Sequence, residues 1–420
     1  MSKQAARNLK IGIIGVGPRS PAQITCTQEI GGVDLTAICD VNPGCIRKTL
    51  KRFKDLKLKR PATYLDHRDL LAKADVEAVL IPSSWNTHIP LAIDALRAGK
   101  AVAIEVGGAS SIQQLWDLVH AAEASGKPCM MLENCCYGRN ELLVLNLVRQ
   151  GLFGELIYCE GGYEHNLAAM ACSLDQGRER AFQNLRRNGD LYPTHALGPI
   201  AKILGINRGN RFLSLTSTAT KARGFAAYAA AHDWKGSGDH RVFNAGDIVV
   251  TVIKCANGEV ITLTHGVSLP RPYSRDCRVQ GTRGIWLENA KGIYIEGISK
   301  TQKTDEFGNP VHLEQWDNVE SYYDRHDHPI WKRFRENVIG GHGGMDTLVL
   351  QAFYDAVRNR APTPIDVYDC AAWMSITCLS EASIAMGSQP VPIPDFTNGR
   401  WINREPEHPS PWSLDVVPAE

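Results

Sequence analysis

The stretch that most constrains the fold is KIGIIGVGPRS, in which an apolar strand pattern beginning at Lys10 runs into a glycine-rich turn and then a helix. Short apolar runs separated by amphipathic segments follow over the first 130 or so residues, namely KIGIIGV, DLTAICD, AVLIPS, AVAIEV and PCMMLEN. Strands that alternate with helices form a parallel sheet covered on both faces. The sequence therefore predicts an α/β domain with a doubly wound parallel sheet over residues 1–137.

The pattern changes after Tyr137. One helical stretch, RNELLVLNLVRQG, leads into long alternating segments with little helix between them: LIYCEGGYEH, RFLSLTSTAT, DIVVTVIKC, GEVITLTHGV, CRVQGTRGIWLEN and GIYIEG. Such alternation is typical of antiparallel sheets. We predict a second, α+β domain over 138–420 with a large, mostly antiparallel sheet. Two late helical stretches, MDTLVLQAFYDAVRN and DVYDCAAWMSITCLSEASIAMG, are expected to cover that sheet.

The turn after the first strand predicts a Rossmann dinucleotide site. Its candidate cofactor-binding residues are Gly15, Gly17, Pro18, Arg19 and Ser20. Gly15 makes the tight turn and Gly17 lets backbone N–H groups approach a pyrophosphate, whereas Ser20 stands where a third glycine is usual. Asp40 ends the second strand, where a carboxylate accepts hydrogen bonds from the adenosine ribose. A 2′-phosphate would meet an anion there, which favours NAD over NADP; the alternative is a glycine turn with a solvated aspartate.

Further cofactor candidates follow later strands of the first domain. Trp85 and His88 lie in PSSWNTHIP, after the fourth strand, at the carboxyl edge where the cofactor of such sheets lies. The alternative is a packing tryptophan and a histidine at a helix start. Glu133 ends the last strand, near the expected position of the cofactor's reactive end, and its alternative is a helix-capping acid.

Two pairs of aromatic and histidine residues are candidates for chemistry in the second domain. Tyr163 and His165 are two apart in a strand pattern, so their side chains share one face; an ordinary sheet face is the alternative. Tyr192 and His195 lie in GDLYPTH, at the first turn of a helix that begins near Pro193, and are close enough to touch one ligand. The positive end of the helix dipole would help either act as a base. A core histidine packed against a tyrosine is the alternative.

Charge and composition limit the classes of partner that this protein can bind. The chain has 46 Lys and Arg against 45 Asp and Glu, a net charge of +1, so no field would attract nucleic acid or an anionic membrane. No apolar run reaches membrane-spanning length, and the N-terminus lacks a signal-peptide pattern. We expect a cytoplasmic protein, or a periplasmic or secreted one if an export signal was removed.

The twelve scattered cysteines predict free thiols and no metal site. The expected partners are a small-molecule substrate and further copies of the chain in a homo-oligomer.

Several of these motifs together resemble the two-domain oxidoreductases that include glucose–fructose oxidoreductase and inositol dehydrogenase. The resemblance rests on the first-strand glycines, Asp40, the Asn-Thr-His after strand four, the region of Glu105 and VQGTRG. It implies that Glu105 is near the cofactor. Those oxidoreductases carry Glu-Lys-Pro after strand five and an Asp four residues before a catalytic His, whereas this chain has Glu105-Val106-Gly107 and Leu191. The catalytic lysine is missing, which argues against a plain alcohol dehydrogenase.

The remaining motifs are similar to those of glycoside hydrolase family 109, the NAD-dependent hydrolases with α-N-acetylgalactosaminidase activity. They are ENCCYGR, GGYEH, RRNGDLYPTH, NRGNRFLSLTS, GHGGMD and DFTNGRW. The resemblance implies sugar- or cofactor-facing roles for six residues, Glu133, Tyr163, His165, Arg180, Tyr192 and His195. The family's usual YxHD reads Tyr163-Glu164-His165-Asn166 here, so Asn166 replaces an acid.

Three functions follow from this reasoning. The favoured one is a glycosidase that uses bound NAD in a transient cycle of oxidation, elimination, addition and reduction, acting on N-acetylgalactosaminides or related glycosides. Tyr192 is the expected base, His195 assists it, and Glu133 and His165 orient the ring. The alternatives are an NAD-dependent sugar dehydrogenase and a catalytically silent protein that binds NAD and sugar.

Overall fold

The computed structural model describes residues 7–172, 179–232, 243–299, 304–308, 316–406 and 410–417. The chain forms two compact units. The first comprises Met1–Tyr137 and Phe334–Ser375, and the second comprises Gly138–Arg333 and Ile376–Glu420.

The regular elements of the described residues are as follows. The strands are β1 Leu9–Ile14, β2 Val33–Cys39, β3 Ala62–Tyr64, β4 Ala78–Ile81, β5 Ala101–Ile104, β6 Cys129–Met131, β7 Leu156–Glu164, β8 Phe212–Ala219, β9 Val249–Cys255, β10 Val260–Gly266, β11 Arg278–Gly281, β12 Gly284–Leu287, β13 Gly292–Ile295, β14 Asp317–Asn318 and β15 Val391–Pro392. The helices are α1 Ser20–Ile30, α2 Pro43–Asp55, α3 His67–Lys73, α4 Trp85–Arg97, α5 Ile112–Ser125, α6 Arg139–Arg149, α7 Ala168–Cys172, α8 Glu179–Arg186, α9 Thr194–Ile203, α10 Gly224–Ala231, α11 Tyr323–His326, α12 Pro329–Phe334, α13 Met345–Asn359 and α14 Val367–Ala385.

The first unit contains the predicted parallel sheet. Its strands lie in the order β3-β2-β1-β4-β5-β6, and every pairing between them in this part of the chain is parallel. All residues of β4 and β5 are buried, as the uninterrupted apolar runs of a sheet covered on both faces require. The carboxyl ends of β1, β2 and β4 meet at one edge, which gathers the loops that begin at Gly15, Asp40 and Pro82. The predicted Rossmann fold is confirmed.

The second unit contains the large sheet. Its described strands lie in the order β14-β13-β12-β11-β7-β10-β9-β8-β15. Strands β7 and β10 are parallel, with Tyr163 opposite His265, whereas the other pairings in the described part of this sheet are antiparallel. Helix α9 packs on β7, where Gly161 permits a close approach because a Cβ on it would lie only 2.9 Å from Ala196 Cβ. The predicted α+β architecture with a mostly antiparallel sheet is confirmed.

Helix α13 corrects one expectation. The sequence predicted that it covers the large sheet, but α13 belongs to the first unit and packs on α1. The contact includes a 2.6 Å hydrogen bond between the hydroxyls of Thr27 and Tyr354, both buried. The predicted domains, 1–137 and 138–420, therefore differ from the compact units in where residues 334–375 belong.

Two further expectations concern cysteines and membranes. All twelve cysteines lie in described residues as thiols outside any disulfide, and ten of them are buried. Within the described ranges, no helix combines the length and the apolar character needed to cross a membrane.

Candidate functional site

The glycine loop of the first unit has the shape that a dinucleotide requires. Gly15 has φ +92°, and a Cβ on it would lie 2.6 Å from Ser83 Cα, so no other residue fits there. At Gly17 a Cβ would meet no described atom within 4 Å, so the space beside the loop is open. Ser20 is buried, and its hydroxyl donates to the Gly17 carbonyl at 3.0 Å. The serine in place of a third glycine therefore closes the loop on itself.

Asp40 lies beside this loop, as the sequence predicts for a ribose-binding acid. Its Oδ2 accepts the N–H of Val16 at 2.9 Å, and its Oδ1 accepts the N–H of Asn42 at 2.8 Å. A carboxylate has about four acceptor positions. The two backbone bonds fix its orientation and leave acceptor capacity for ribose hydroxyls, so the loop and the acid fit NAD.

Trp85 and His88 hold two neighbouring loops at the same edge of the sheet. His88 is buried; its Nδ1 lies 3.1 Å from the carbonyl oxygen of Gly107 and its Nε2 lies 2.9 Å from that of Ser83. The indole of Trp85 packs against Gly107. This geometry shows how both side chains order the loops after β4 and β5, and their contact with a cofactor stays a prediction.

Arg19 and Glu105 belong to an ionic network centred on Asp346. The Arg19 guanidinium donates to both carboxylate oxygens of Asp346, at 2.9 and 2.8 Å, and its Nε donates to Glu105 at 2.7 Å. Asp346 also accepts from Asn134 Nδ2 at 2.8 Å and lies 2.9 Å from His342 Nδ1. Burial acts to raise the pKa of Asp346, but the hydrogen bonds from His342 and Arg19 and the charge of Arg19 lower it well below its usual range. The Arg19 side chain is thus fixed at the start of α1, next to the glycine loop.

The second unit brings together five of the predicted site residues. The Tyr163 ring lies 4.5 Å from that of Tyr192, 5.6 Å from that of His195 and 6.0 Å from that of His165, measured between centroids. Tyr192 and His195 contact each other edge to face at 4.8 Å. The Arg180 guanidinium lies 4.5 Å from the Tyr192 ring and 5.3 Å from the Tyr163 ring, a cation–π arrangement. We call these five residues the aromatic cluster.

Two polar atoms in this region are buried without a hydrogen-bond partner among the described residues, His165 Nδ1 and Thr194 Oγ1. Buried polar groups in folded proteins are nearly always hydrogen-bonded. A ligand that carries hydroxyl or carbonyl groups could supply the missing partners of both atoms. Glu133 belongs to the first unit, where it is buried and accepts the N–H of Cys135 at 3.2 Å, and its contact with a sugar stays a prediction.

Two side chains at the cluster were missed by the sequence analysis. His265 is buried on β10 with its ring 6.4 Å from that of Tyr163, and burial, helped by the charge of Arg180, lowers the pKa of His265 to about 3. Tyr273 packs edge to face on Tyr163 at 6.0 Å and on His165 at 5.2 Å. His265 is the last inward residue of an alternating strand, a signal that could have identified it. Tyr273 lies in an irregular segment and has no such signal.

Asp346 and Asp190 were also missed. Asp346 opens α13 in the GHGGMD motif, whose glycines mark a turn but do not indicate a partner. Asp190 is buried, and its Oδ1 accepts the N–H of Tyr192 at 3.2 Å, which fixes the turn that carries Tyr192. Burial raises the pKa of Asp190 to about 7, against the effect of that hydrogen bond.

Two known families match adjacent parts of the chain. Residues 137–403 match the C-terminal domain of glycosyl hydrolase 109, and residues 9–133 match the NAD-binding Rossmann fold of an oxidoreductase family. An alpha-N-acetylgalactosaminidase from Tannerella forsythia is 40% identical over 95% of this chain and 88% of its own length. Another from Shewanella oneidensis is 38% identical over 95% of this chain and 87% of its own.

Solved structures share the fold at low identity. A levoglucosan dehydrogenase in complex with NADH and L-sorbose has a TM-score of 0.69 at 16% identity and covers 93% of this chain and 100% of its own. A scyllo-inositol dehydrogenase from Lactobacillus casei with bound NAD(H) and scyllo-inositol has a TM-score of 0.64 at 16% identity. The match covers 92% of this chain and 99% of the dehydrogenase.

Proposed function

Because the chain belongs to glycoside hydrolase family 109, we propose that it uses bound NAD to hydrolyse α-glycosides of N-acetylgalactosamine. The enzyme is a glycosidase with an NAD-binding Rossmann domain. The choice of sugar follows the names of its relatives from Tannerella and Shewanella. The observation that carries the proposal is the aromatic cluster with its unpaired His165 Nδ1 and Thr194 Oγ1, since ring faces and unsatisfied polar atoms together suit a hydroxylated ring.

The first unit supplies the groups that would hold the cofactor. The N–H groups of the loop that begins at Gly15 would bind the pyrophosphate at the start of α1, and Asp40 would accept from the adenosine ribose. Pro18 and Arg19 complete the loop. Glu105 acts through Arg19, to which it is bonded at 2.7 Å.

The second unit supplies the groups that move protons. Bound NAD would supply a reversible hydride acceptor for carbon 3 of the sugar, and a ketone at that carbon would make the hydrogen on carbon 2 acidic. Tyr192 takes this proton at its phenolic oxygen, and His195 assists the transfer or holds the hydroxyl on carbon 3. His165 orients the sugar ring, and Arg180 holds the Tyr192 ring in place. The electron pair of the carbon 2–hydrogen bond would expel the group on carbon 1. Water would then add at carbon 1 with return of a proton to carbon 2, and the hydride would return to carbon 3.

The decisive experiment is hydrolysis of a panel of nitrophenyl glycosides in deuterium oxide, with NADH absorbance followed throughout. We expect release of nitrophenol from the N-acetyl-α-galactosaminide, deuterium on carbon 2 of the product and no accumulation of NADH. A product without deuterium there would exclude proton removal from carbon 2. Steady accumulation of NADH would indicate a sugar dehydrogenase, a function that the absence of lysine after Glu105 disfavours.

We propose further that the enzyme is a homo-oligomer that pairs through the outer face of the large sheet. Val250 and Val252 are 38% and 42% exposed on β9, and β-branched Thr216, Thr218 and Thr262 flank them on the paired strands. An exposed, β-branched face of this kind suits a second copy of itself. Light scattering should show that V252E lowers the molecular mass, and V41E, at an exposed position outside this sheet, should not.

A further inference from the structure

The segment between β10 and β11 brings Tyr273 to the aromatic cluster. Its neighbour Ser274 pairs with Glu164 at the end of β7, through backbone hydrogen bonds of 3.2 and 3.1 Å. Tyr273 itself is 49% exposed and contacts the rings of Tyr163 and His165. Its position therefore depends on how firmly the segment is fastened to β7.

Three ionisable side chains hold this segment to β7. Glu164 points to the opposite face of β7 from Tyr163 and accepts a hydrogen bond from the guanidinium of Arg271, which also donates to the Ser274 hydroxyl. Asp276 lies 3.5 Å from the same guanidinium, and its carboxyl group interacts with that of Glu164. Strand β10 presents Gly266 on this side, which carries no charge. The cluster thus holds two carboxyl groups and one guanidinium.

Two carboxyl groups beside one guanidinium favour a proton on one of the carboxyl groups. Asp276 Oδ1 is buried without a hydrogen-bond partner among the described residues, and a protonated Glu164 would supply a donor to it. Burial and the neighbouring Asp276 raise the pKa of Glu164 to about 7, with Arg271 opposing them. Burial acts to raise the pKa of Asp276, but hydrogen bonds from Glu164, Ser274 and Asn289 and the charge of Arg271 lower it to about 2. The proton therefore belongs to Glu164.

The backbone at Asp276 indicates that contacts hold this part of the segment in place. Its φ of +49° lies in the left-handed region, which costs free energy for a residue with a side chain. Such a conformation persists where the surrounding contacts impose it. The bonds to Glu164 and Arg271 are those contacts.

We propose that Glu164 is a positioning residue of the sugar site: its protonated carboxyl joins Asp276 to β7 and so holds Tyr273 against the substrate. This rests on the proposed function, which places the sugar at the aromatic cluster. When Glu164 loses its proton, two carboxylates face a single guanidinium, and the repulsion between them favours release of the segment.

The pH dependence has a definite sign. The pKa of Glu164 is near 7 in the fastened segment, and the ordinary value is about 4.3. The fastened state therefore binds the proton more tightly than the released state. Its advantage is complete below about pH 4.3, falls as pH rises, and is lost by about pH 7.

The first test measures KM for the sugar between pH 5 and pH 8. Loss of one aromatic contact corresponds to roughly a 3- to 10-fold change, so the KM of the wild-type enzyme should rise by about that factor over this range. E164Q keeps the donor to Asp276 and the acceptor for Arg271 at every pH, so its KM should change less than twofold. E160Q, four residues earlier on the same strand, is the matched control and should follow the wild type. If E164Q shows the same rise as the wild type, the proposal is wrong.

The second test needs neither sugar nor NAD. Hydrogen-exchange protection of residues 267–276, corrected for the intrinsic effect of pH, should fall between pH 5 and pH 8 in the wild type and stay constant in E164Q. Equal loss of protection in both proteins would overturn the role of Glu164. If protection behaves as expected but Y273A leaves KM unchanged, the fastening stands and the placement of the sugar against Tyr273 fails.

Discussion

Replacing Asp346 by alanine tests the ionic network of the first unit. The substitution removes both hydrogen bonds to the Arg19 guanidinium, the bond from Asn134 and the contact with His342. The Arg19 side chain keeps Glu105 as a partner and is 28% exposed, so water replaces part of what is lost. The cost is therefore below that of a fully buried ion pair.

The magnitude follows from these contacts. Breaking a buried pair by removing one partner costs about 3–5 kcal/mol, and partial exposure of Arg19 brings the expected loss to about 3 kcal/mol in the free energy of unfolding. Asp346→Asn keeps the shape and one acceptor, so we expect about 1–2 kcal/mol. Because Arg19 adjoins the glycine loop, both variants should also bind NAD more weakly.

Urea unfolding of the NAD-free protein at pH 7 measures the loss of unfolding free energy, provided that this free energy depends on urea concentration with the same slope in variant and wild type. Calorimetry with NAD measures the loss of NAD affinity. The control is Asp75→Ala, whose exposed ion pair with Lys10 contributes little to stability. Since the pKa of Asp346 is lowered in the fold, its contribution is present above about pH 4 and lost as pH falls below that value. The difference in unfolding free energy between the Asp346→Ala variant and the wild type should therefore become smaller below about pH 4. An unfolding free energy of Asp346→Ala equal to that of Asp75→Ala would refute the reasoning.

Three other substitutions test separate parts of the enzyme. Asp40→Ala should weaken NAD binding by roughly 1–3 kcal/mol, because charge-assisted hydrogen bonds to ribose are lost; unchanged affinity in calorimetry would contradict this assignment. Tyr192→Phe should lower turnover about 10²- to 10⁴-fold while NAD stays bound, and full activity would remove Tyr192 as the base. The pKa of Asp190 is about 7 in the fold, so its buried carboxyl costs stability progressively as pH rises from about 4 to 7. Asp190→Asn keeps the acceptor for Tyr192 and should become more stable than the wild type over that range; parallel unfolding curves would exclude this.

The sequence predicted the features that depend on neighbouring residues. The glycine loop, Asp40 and the parallel sheet follow from local alternation and from the rule that carboxyl ends of parallel strands share an edge. Tyr163 and His165 share a face because strand side chains alternate. Their approach to Tyr192 required the packing of α9 on Gly161, which no periodicity shows.

The missed residues act over long separations or in irregular backbone. Asp346 bonds to Arg19 across 327 residues, and nothing local to either indicates the other. Tyr273 reaches the aromatic cluster from a segment with no helix or strand pattern, held there by Glu164 on the reverse face of β7. The sequence identified α13 as a helix. Its apolar face predicts that one side is buried, but does not predict which part of the protein covers that side.

The separation of residues 334–375 from the rest of the first unit affects how the protein is made. Arg19 and Thr27 leave the ribosome long before their partners Asp346 and Tyr354 are synthesised. The parallel sheet can form early, but the surface of α1 that packs on α13 stays uncovered while some two hundred residues of the other unit are translated. A nascent chain that stops at Tyr137 therefore exposes apolar surface to chaperones and proteases. The shortest gene fragment expected to yield a self-sufficient first unit has to rejoin residues 334–375 to the N-terminal segment.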